Sequence, residues 1–418
     1  GLPMTHTTTD SATNEQATGR VSLLTRIYGL LCLLDGIVNA VSTVVLVGWI
    51  VLAIIGDPAS APVVLGGNAV LSFVVMFVAA GLTLAGAVGL IYFGRSLVHS
   101  RRRNAARWAK GLIILTVADV LVRLMLSGVG IPVIRPLAQL VILIAISVTI
   151  DPTLQEERKR TTPEERAARE EAKRGMLGRD RTGKGFIELN FFNLFWVFVV
   201  CCVLGLVIEV LFHMIVIDPG VYQDRAGLLF GPFSPIYGFG AVLMTVFLNR
   251  LWDKNPALIF LGGAVIGGAF EVTTSLYMQT AFGVTSWDYT GAMILGLVPD
   301  PVAAFFDGRT SASFMFAWGV LGLVWIKVML PLLLRLINLI PWRLRYGLTS
   351  VCAILMLVNG LMTLQSLDCW YKRVSGMEPS GPVEQFYAEY YDDDYMQNRF
   401  QTMTITPEDT VRTDAATI

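Results

Sequence analysis

The chain has 418 residues, 54% of them hydrophobic and 15% charged, with a mean hydropathy of +0.61. Soluble domains carry about 25% charged residues, so this balance excludes an ordinary soluble globular protein. Lys plus Arg and Asp plus Glu number 32 each, and the zero formal charge excludes a uniformly basic nucleic-acid binder and an acidic disordered chain.

In chain order, Gly1-Leu2-Pro3 ahead of Met4 reads as an expression remnant, and the Thr-rich polar stretch to residue 20 as a disordered arm. Nine apolar runs then follow, at roughly 28–55, 63–93, 109–128, 132–150, 190–217, 234–248, 257–282, 311–333 and 346–368. A bilayer asks for about 20 apolar residues per helix, and only internally hydrogen-bonded helices cross it without leaving bare amides. The expected fold is therefore an all-α, polytopic transmembrane helical bundle of about nine spans. The run at 234–248 is the shortest of them.

Basic residues set the expected orientation. They crowd the loop GRSLVHSRRRNAARWAK after the second run, the linker 151–188, Arg250 and Lys254, and Arg335, Arg343 and Arg345. With all of these cytoplasmic, the N-terminus lies inside and the tail after the ninth run lies outside. That tail, with EQFYAEYYDDDYMQNRF, is acidic and reads as a partly ordered or disordered exterior segment. The zero net charge is then the sum of a basic face and an acidic one.

The linker divides the chain into a four-span unit (21–150), a charged cytoplasmic segment (151–188) and a second four-span unit (189–335). One extra span (336–368) and the acidic tail (369–418) follow. Within the linker, Thr162 is a helix N-cap candidate ahead of Pro163. Gly178 to Lys184 fits G-x-x-x-x-G-K, but Gly185 stands where a phosphate loop needs Ser or Thr. No complete nucleotide-binding or hydrolase motif occurs, which argues against an enzyme, and no H-E-x-x-H, H-x-x-E-H or G-x-S-x-G pattern exists. The five cysteines form no metal-ligand spacing. Neither a metal nor a cofactor is expected.

Ionisable groups inside spans are costly, and these become the functional candidates. They are Asp35, Asp119, Arg123, Arg135, Glu209, Glu271 and Lys327. Asp119 and Arg123, four apart, can neutralise each other as a structural pair with Arg135 nearby. Lys327 can snorkel to the cytoplasmic face. In the second unit Cys201, Gly205, Glu209 and His213 recur every four residues. Gly263, Gly267, Glu271 and Ser275 do the same. Gly205, Gly263 and Gly267 thus read as helix-packing positions, each leading to a carboxylate. The two carboxylates can bind a cation, relay protons, or pair with Arg225 or Arg309 from the exterior loops, or they are salt-bridged packing residues.

The ordered string of an intramembrane Glu, R-x-G-x-x-x-G-P-x-x-P-I-Y-G-x-G, a second intramembrane Glu, F-G-V-x-x-W-D-Y, G-R and W-G over about 190–330 resembles a bacterial membrane family, the type IV ABC-transporter permeases. The resemblance places the family's signature on Glu209, Arg225, Gly227, Gly231, Pro232, Pro235, Tyr237, Gly238, Gly240, Glu271, Trp287, Asp288, Tyr289, Gly308, Arg309, Trp318 and Gly319. The link between Asp288 and Arg309 is longer and more apolar here than in that family. The resemblance implies a plasma-membrane transport component whose ATP hydrolysis comes from a separate ATPase subunit. An outward-facing polar site would draw on Glu209, His213, Arg225, Tyr237, Glu271, Trp287, Asp288 and Arg309. The expected partners are the lipid bilayer, that ATPase subunit and a second copy in a homo-oligomer, with no nucleic acid. The alternative is a non-transport membrane protein: an outer-leaflet enzyme, or a sensor or scaffold.

Overall fold

A computed structural model describes residues 21–60, 69–151 and 190–412. The arm, the linker helix and the Gly178–Lys184 motif lie outside the described residues. The chain divides into two compact units, residues 1–159 with 411–418, and residues 160–410.

The first unit holds α1 (Leu23–Gly56), α2 (Ala69–Val98), α3 (Arg102–Ser127) and α4 (Ile131–Ile150). Helix α1 starts at Ser22, whose hydroxyl accepts from the Thr25 amide. Its 34 residues span about 51 Å at 1.5 Å per residue, well beyond the hydrocarbon thickness. Gly29 and Gly94 let α1 and α2 pack backbone to backbone. A core of Cys32, Leu90, Phe93, Leu97, Leu112 and Leu143 ties all four helices together.

The second unit begins with α5 (Phe191–Phe212), which Asn190 caps and which runs on through a π turn at His213–Ile217. Helix α6 (Pro235–Leu248) and α7 (Pro256–Phe282) follow, each with proline in its first turn, where no amide is needed. Helix α9 (Ala312–Val324) continues through a second π turn at Trp325–Met329 into α10 (Leu330–Asn338). Helix α11 (Trp342–Val374) closes the bundle. The core runs from Val197 and Cys201 through Met244, Ile259, Trp318 and Trp325 to Leu334. Indoles find threonine partners: buried Trp325 donates to Thr245 at 2.8 Å and half-buried Trp196 to Thr349 at 2.7 Å.

The chain is all-α in its framework, and a helix stands at each of the nine apolar runs. Among the described residues seven helices are long and apolar enough to cross a membrane. The two others fall short for identifiable reasons. Helix α3 carries Lys110, Asp119 and Arg123 within its apolar part, and α6 has only 14 residues.

Two features go beyond the nine runs, and the first was not anticipated. Small antiparallel ribbons join the helices: β2 (Met293–Ile294) with β3 (Val298–Pro299), and β1 (Val284–Thr285) with β4 (Thr404–Ile405) of the tail. The tail itself is folded, with α12 (Gly381–Tyr390) and α13 (Asp393–Arg399) after α11. Its acidic run caps α13: the Asp392 carboxylate accepts from the Tyr395 amide at 2.8 Å, and Asp393 and Asp394 sit in the first turn, where the helix dipole favours negative charge. Tyr387, Tyr391 and Tyr395 pack as an aromatic ladder beside Phe386.

Candidate functional site

Every residue of the site lies in the second unit, and α7 is its backbone. Gly263, Gly267, Glu271, Ser275 and Gln279 form one inclined row along it. A side chain at Gly267 would collide with the Trp318 ring. At Gly263 a Cβ would lie 3.1 Å from the Trp318 carbonyl oxygen. The missing side chains therefore let α9 press its indole into α7. Gly205 of α5 is occupied in the same way by Tyr237 of α6. Tyr237 and Trp318 in turn stack on each other, with ring centroids 5.5 Å apart.

This packing delivers two carboxylates to one neighbourhood and treats them differently. Glu209 takes the Arg225 guanidinium at 2.8 Å, and the Tyr237 hydroxyl is hydrogen-bonded to it as well. Arg225 also donates to Gln223 at 2.6 Å. Glu271, only 5% exposed, accepts from the Trp318 indole at 3.0 Å and the Thr310 hydroxyl at 2.9 Å. Both its donors are neutral, and among the described residues it has no ion-pair partner. Tyr237 and Tyr289 lie within electrostatic reach of both carboxylates and of Arg225.

Arg309 does not reach Glu271. It donates to Ser275 at 3.0 Å and to the Gln279 side-chain oxygen, one and two turns further along the α7 row. Gln279 passes the chain of bonds on to Asp409 of the tail at 2.8 Å. Trp287 donates its indole N–H to the Arg309 carbonyl at 2.9 Å. Asp288 is exposed. The Thr290 hydroxyl and amide, with the nearby Arg309 charge, outweigh its desolvation and hold its carboxyl below the usual range. Burial raises the Tyr289 hydroxyl instead, and its ring stacks on Phe314 at 4.5 Å. Gly308 sits at φ +75°, and a Cβ there would meet the Thr290 amide nitrogen at 2.6 Å, so only glycine fits.

His213 stands apart from this cluster. It opens the π turn of α5 and its Nδ1 lies 3.3 Å from the Val221 carbonyl. The partly exposed Lys327 donates its ammonium to the Trp252 carbonyl and lies 5.9 Å from that indole's centroid.

The Gly/Pro loop after α5 is held from two sides. Helix α11 supplies Thr363, which accepts from the Leu229 amide at 2.8 Å, and Asn359, which bonds both the amide and the carbonyl of Phe230. The tail supplies Arg399, which donates to the Leu228 and Gly231 carbonyls at 2.9 and 2.6 Å and to Asp224 at 3.1 Å. The sequence pattern missed Thr310, Gln279, Asn359, Thr363 and Arg399 as contributors. Each acts across a long stretch of chain, and its local setting gives no sign of it.

The described geometry is that of a multi-pass α-helical membrane protein with a polar cluster enclosed between spans. The model of the family described as Putative ABC-transporter type IV matches residues 196–364. That segment, from α5 to well within α11, carries the family's pattern, and the resemblance read from the motif string holds for it. Such a match on a bundle of apolar helices makes this a transport-related membrane protein. No curated protein and no solved structure matches the chain.

Proposed function

We propose that residues 190–374 form the membrane core of a solute transporter of the bacterial plasma membrane, energised by a separate ATPase subunit. The working site is the cluster of Glu209, Arg225, Tyr237, Glu271 and Arg309, bordered by Trp287, Asp288, Thr310 and Trp318. Glu271 carries the reading: it is a buried carboxylate within an apolar helix, held only by neutral donors. A carboxylate held by a hydroxyl and an indole, with no cation on it, can take up a proton or a cation directly. Glu209, tied to Arg225 from the loop, links the same site to the exterior segments. In this reading the basic stretches at 94–110, 249–256 and 334–346 face the cytoplasm, and the folded tail faces outward. The ATPase would dock on one of those basic loops.

Two experiments test it. Affinity purification at native expression levels should recover an ATPase subunit, and repeated recovery of none contradicts the coupling. In proteoliposomes, ion or solute flux should vanish in Glu209→Gln and Glu271→Gln variants that melt like the parent. Undiminished flux in both removes the site.

A further inference from the structure

The long link between α7 and α9 contains a hairpin that the transport reading does not use. It is the β2–β3 ribbon, followed by the short helix α8 (Pro301–Phe305). Its base is rigid. The Asp300 amide donates to the Ala292 carbonyl at 2.9 Å, and the buried Asp300 carboxylate accepts from the amides of Val302, Ala303, Ala312 and Ser313. One side chain thus caps both α8 and α9 and fixes the hairpin to the end of a membrane helix.

The tip has the opposite character. The Leu297 amide donates to the Ile294 carbonyl at 3.0 Å, closing a turn whose central residues are Leu295 and Gly296. Their φ values are +53° and +68°. Two positive φ values mark the primed hairpin turn, which Asn-Gly or Asp-Gly normally fills. A leucine there is strained, because its Cβ crowds the backbone in the left-handed region. Yet Leu295 is 88% exposed, its neighbour Leu297 77%, and Phe305 of α8 81%. Residues 289–299 carry no charge. The chain keeps an apolar side chain where a polar one would fit the backbone better and would suit water. Leu276 of α7 and Phe316 of α9, on the two apolar helices that flank this link, are exposed as well.

The geometry points to the hairpin as an interfacial anchor, its Leu295-Gly296-Leu297 tip inserted at the headgroup–acyl boundary of the bilayer that holds the chain. The lipid removes the Leu295 and Leu297 side chains from water. The Asp300 cap holds the tip at a fixed height relative to α9 and, through Gly308 and Arg309, relative to the site. This inference rests on membrane embedding alone and stands or falls independently of transport.

The test places an NBD fluorophore at Leu295→Cys or Leu297→Cys in a background with the five native cysteines replaced. The protein is reconstituted in phosphatidylcholine–phosphatidylglycerol vesicles. Glu389→Cys, on an exposed position of α12, is the aqueous control. If the cysteine-free background does not fold, a fluorescent amino acid inserted by amber suppression at residue 295 gives the same readings. At the tip, emission should be blue-shifted, lose most of its intensity to nitroxide-labelled acyl chains, and be shielded from aqueous iodide. The control should show the reverse. Iodide quenching at the tip without lipid quenching overturns the anchor. Shielding from both quenchers also overturns it, because a protein surface would then cover the tip.

Discussion

The two units place charges within apolar helices by different rules. In the first, charge meets charge: Asp119 with Arg123 at 3.0 Å on one helix, and Asp35 of α1 with Arg135 of α4. Neutral groups only complete these pairs, as Thr83 does for Arg123 and Asn39 for Asp35. In the second, Glu209 is paired with Arg225, but Glu271 and Arg309 stay apart. Glu271 is held by Thr310 and by Trp318 of α9, and Arg309 by Ser275 and Gln279 of α7, all neutral side chains. In the first unit each of these charges is thus cancelled by its partner, within α3 or between α1 and α4. A carboxylate and a guanidinium kept separate in the same neighbourhood are the feature on which the proposed site in the second unit rests.

The largest effect on stability should come from Glu271→Ala. It strands the buried Trp318 indole and Thr310 hydroxyl at once, at about 1–3 kcal/mol for each orphaned group. Glu271→Gln keeps an acceptor and should cost clearly less in tryptophan-monitored thermal melts in detergent. By contrast, replacing Asp119 and Arg123 together with leucine should be near neutral, since a partly buried pair recovers little beyond its desolvation. A large loss in that double variant would erase the difference between the units.

Next in size is Gly267→Ala, where the new methyl meets the Trp318 ring and should cost about 1–3 kcal/mol. Gly111→Ala in α3 opens onto free space and should instead gain up to about 1 kcal/mol from helix propensity. Both are read from the same melts. Arg399→Ala should be smaller, about 1–2 kcal/mol, because its side chain is partly exposed. Its clearer signature is faster amide exchange at residues 225–232, where the loop loses three bonds to the tail.

The smallest effect is a pH dependence at Asp300. Burial pushes its carboxyl up, but the amides of Ala303, Ala312, Ser313 and Val302 outweigh that and hold it below the usual range. A depressed folded value contributes stability above the unfolded value of about 3.9, lost as pH falls through the folded one. Acidification should therefore loosen the 291–312 link, and Asp300→Asn should blunt that acid response in exchange measurements.

How much of this was legible in the sequence follows from the range of each interaction. The helices were readable because each apolar run is local. So was the row Gly263, Gly267, Glu271, Ser275, because a four-residue spacing maps onto one side of a helix. The pairing of Arg225 with Glu209 was one of the options left open, and the geometry selects it. Arg135 was expected near Asp119 and Arg123, yet it meets Asp35, a hundred residues away in the chain. The donors to Glu271 lie 39 and 47 residues downstream, and Arg399 reaches back about 170 residues. Pairings of that range leave no periodicity to read. The acidic, tyrosine-rich tail was read as partly ordered or disordered, and its aspartate cap and stacked aromatics select order.

The most direct test sets the two units side by side in one assay. Proton and ion flux are read with entrapped dyes in proteoliposomes that contain the chain and any co-purifying ATPase. Glu271→Gln and the paired Asp119→Leu/Arg123→Leu variant are compared at matched thermal stability. The account expects flux to be lost in the first and retained in the second. Flux retained in a folded Glu271→Gln protein, or lost only when the Asp119–Arg123 pair is removed, would contradict it.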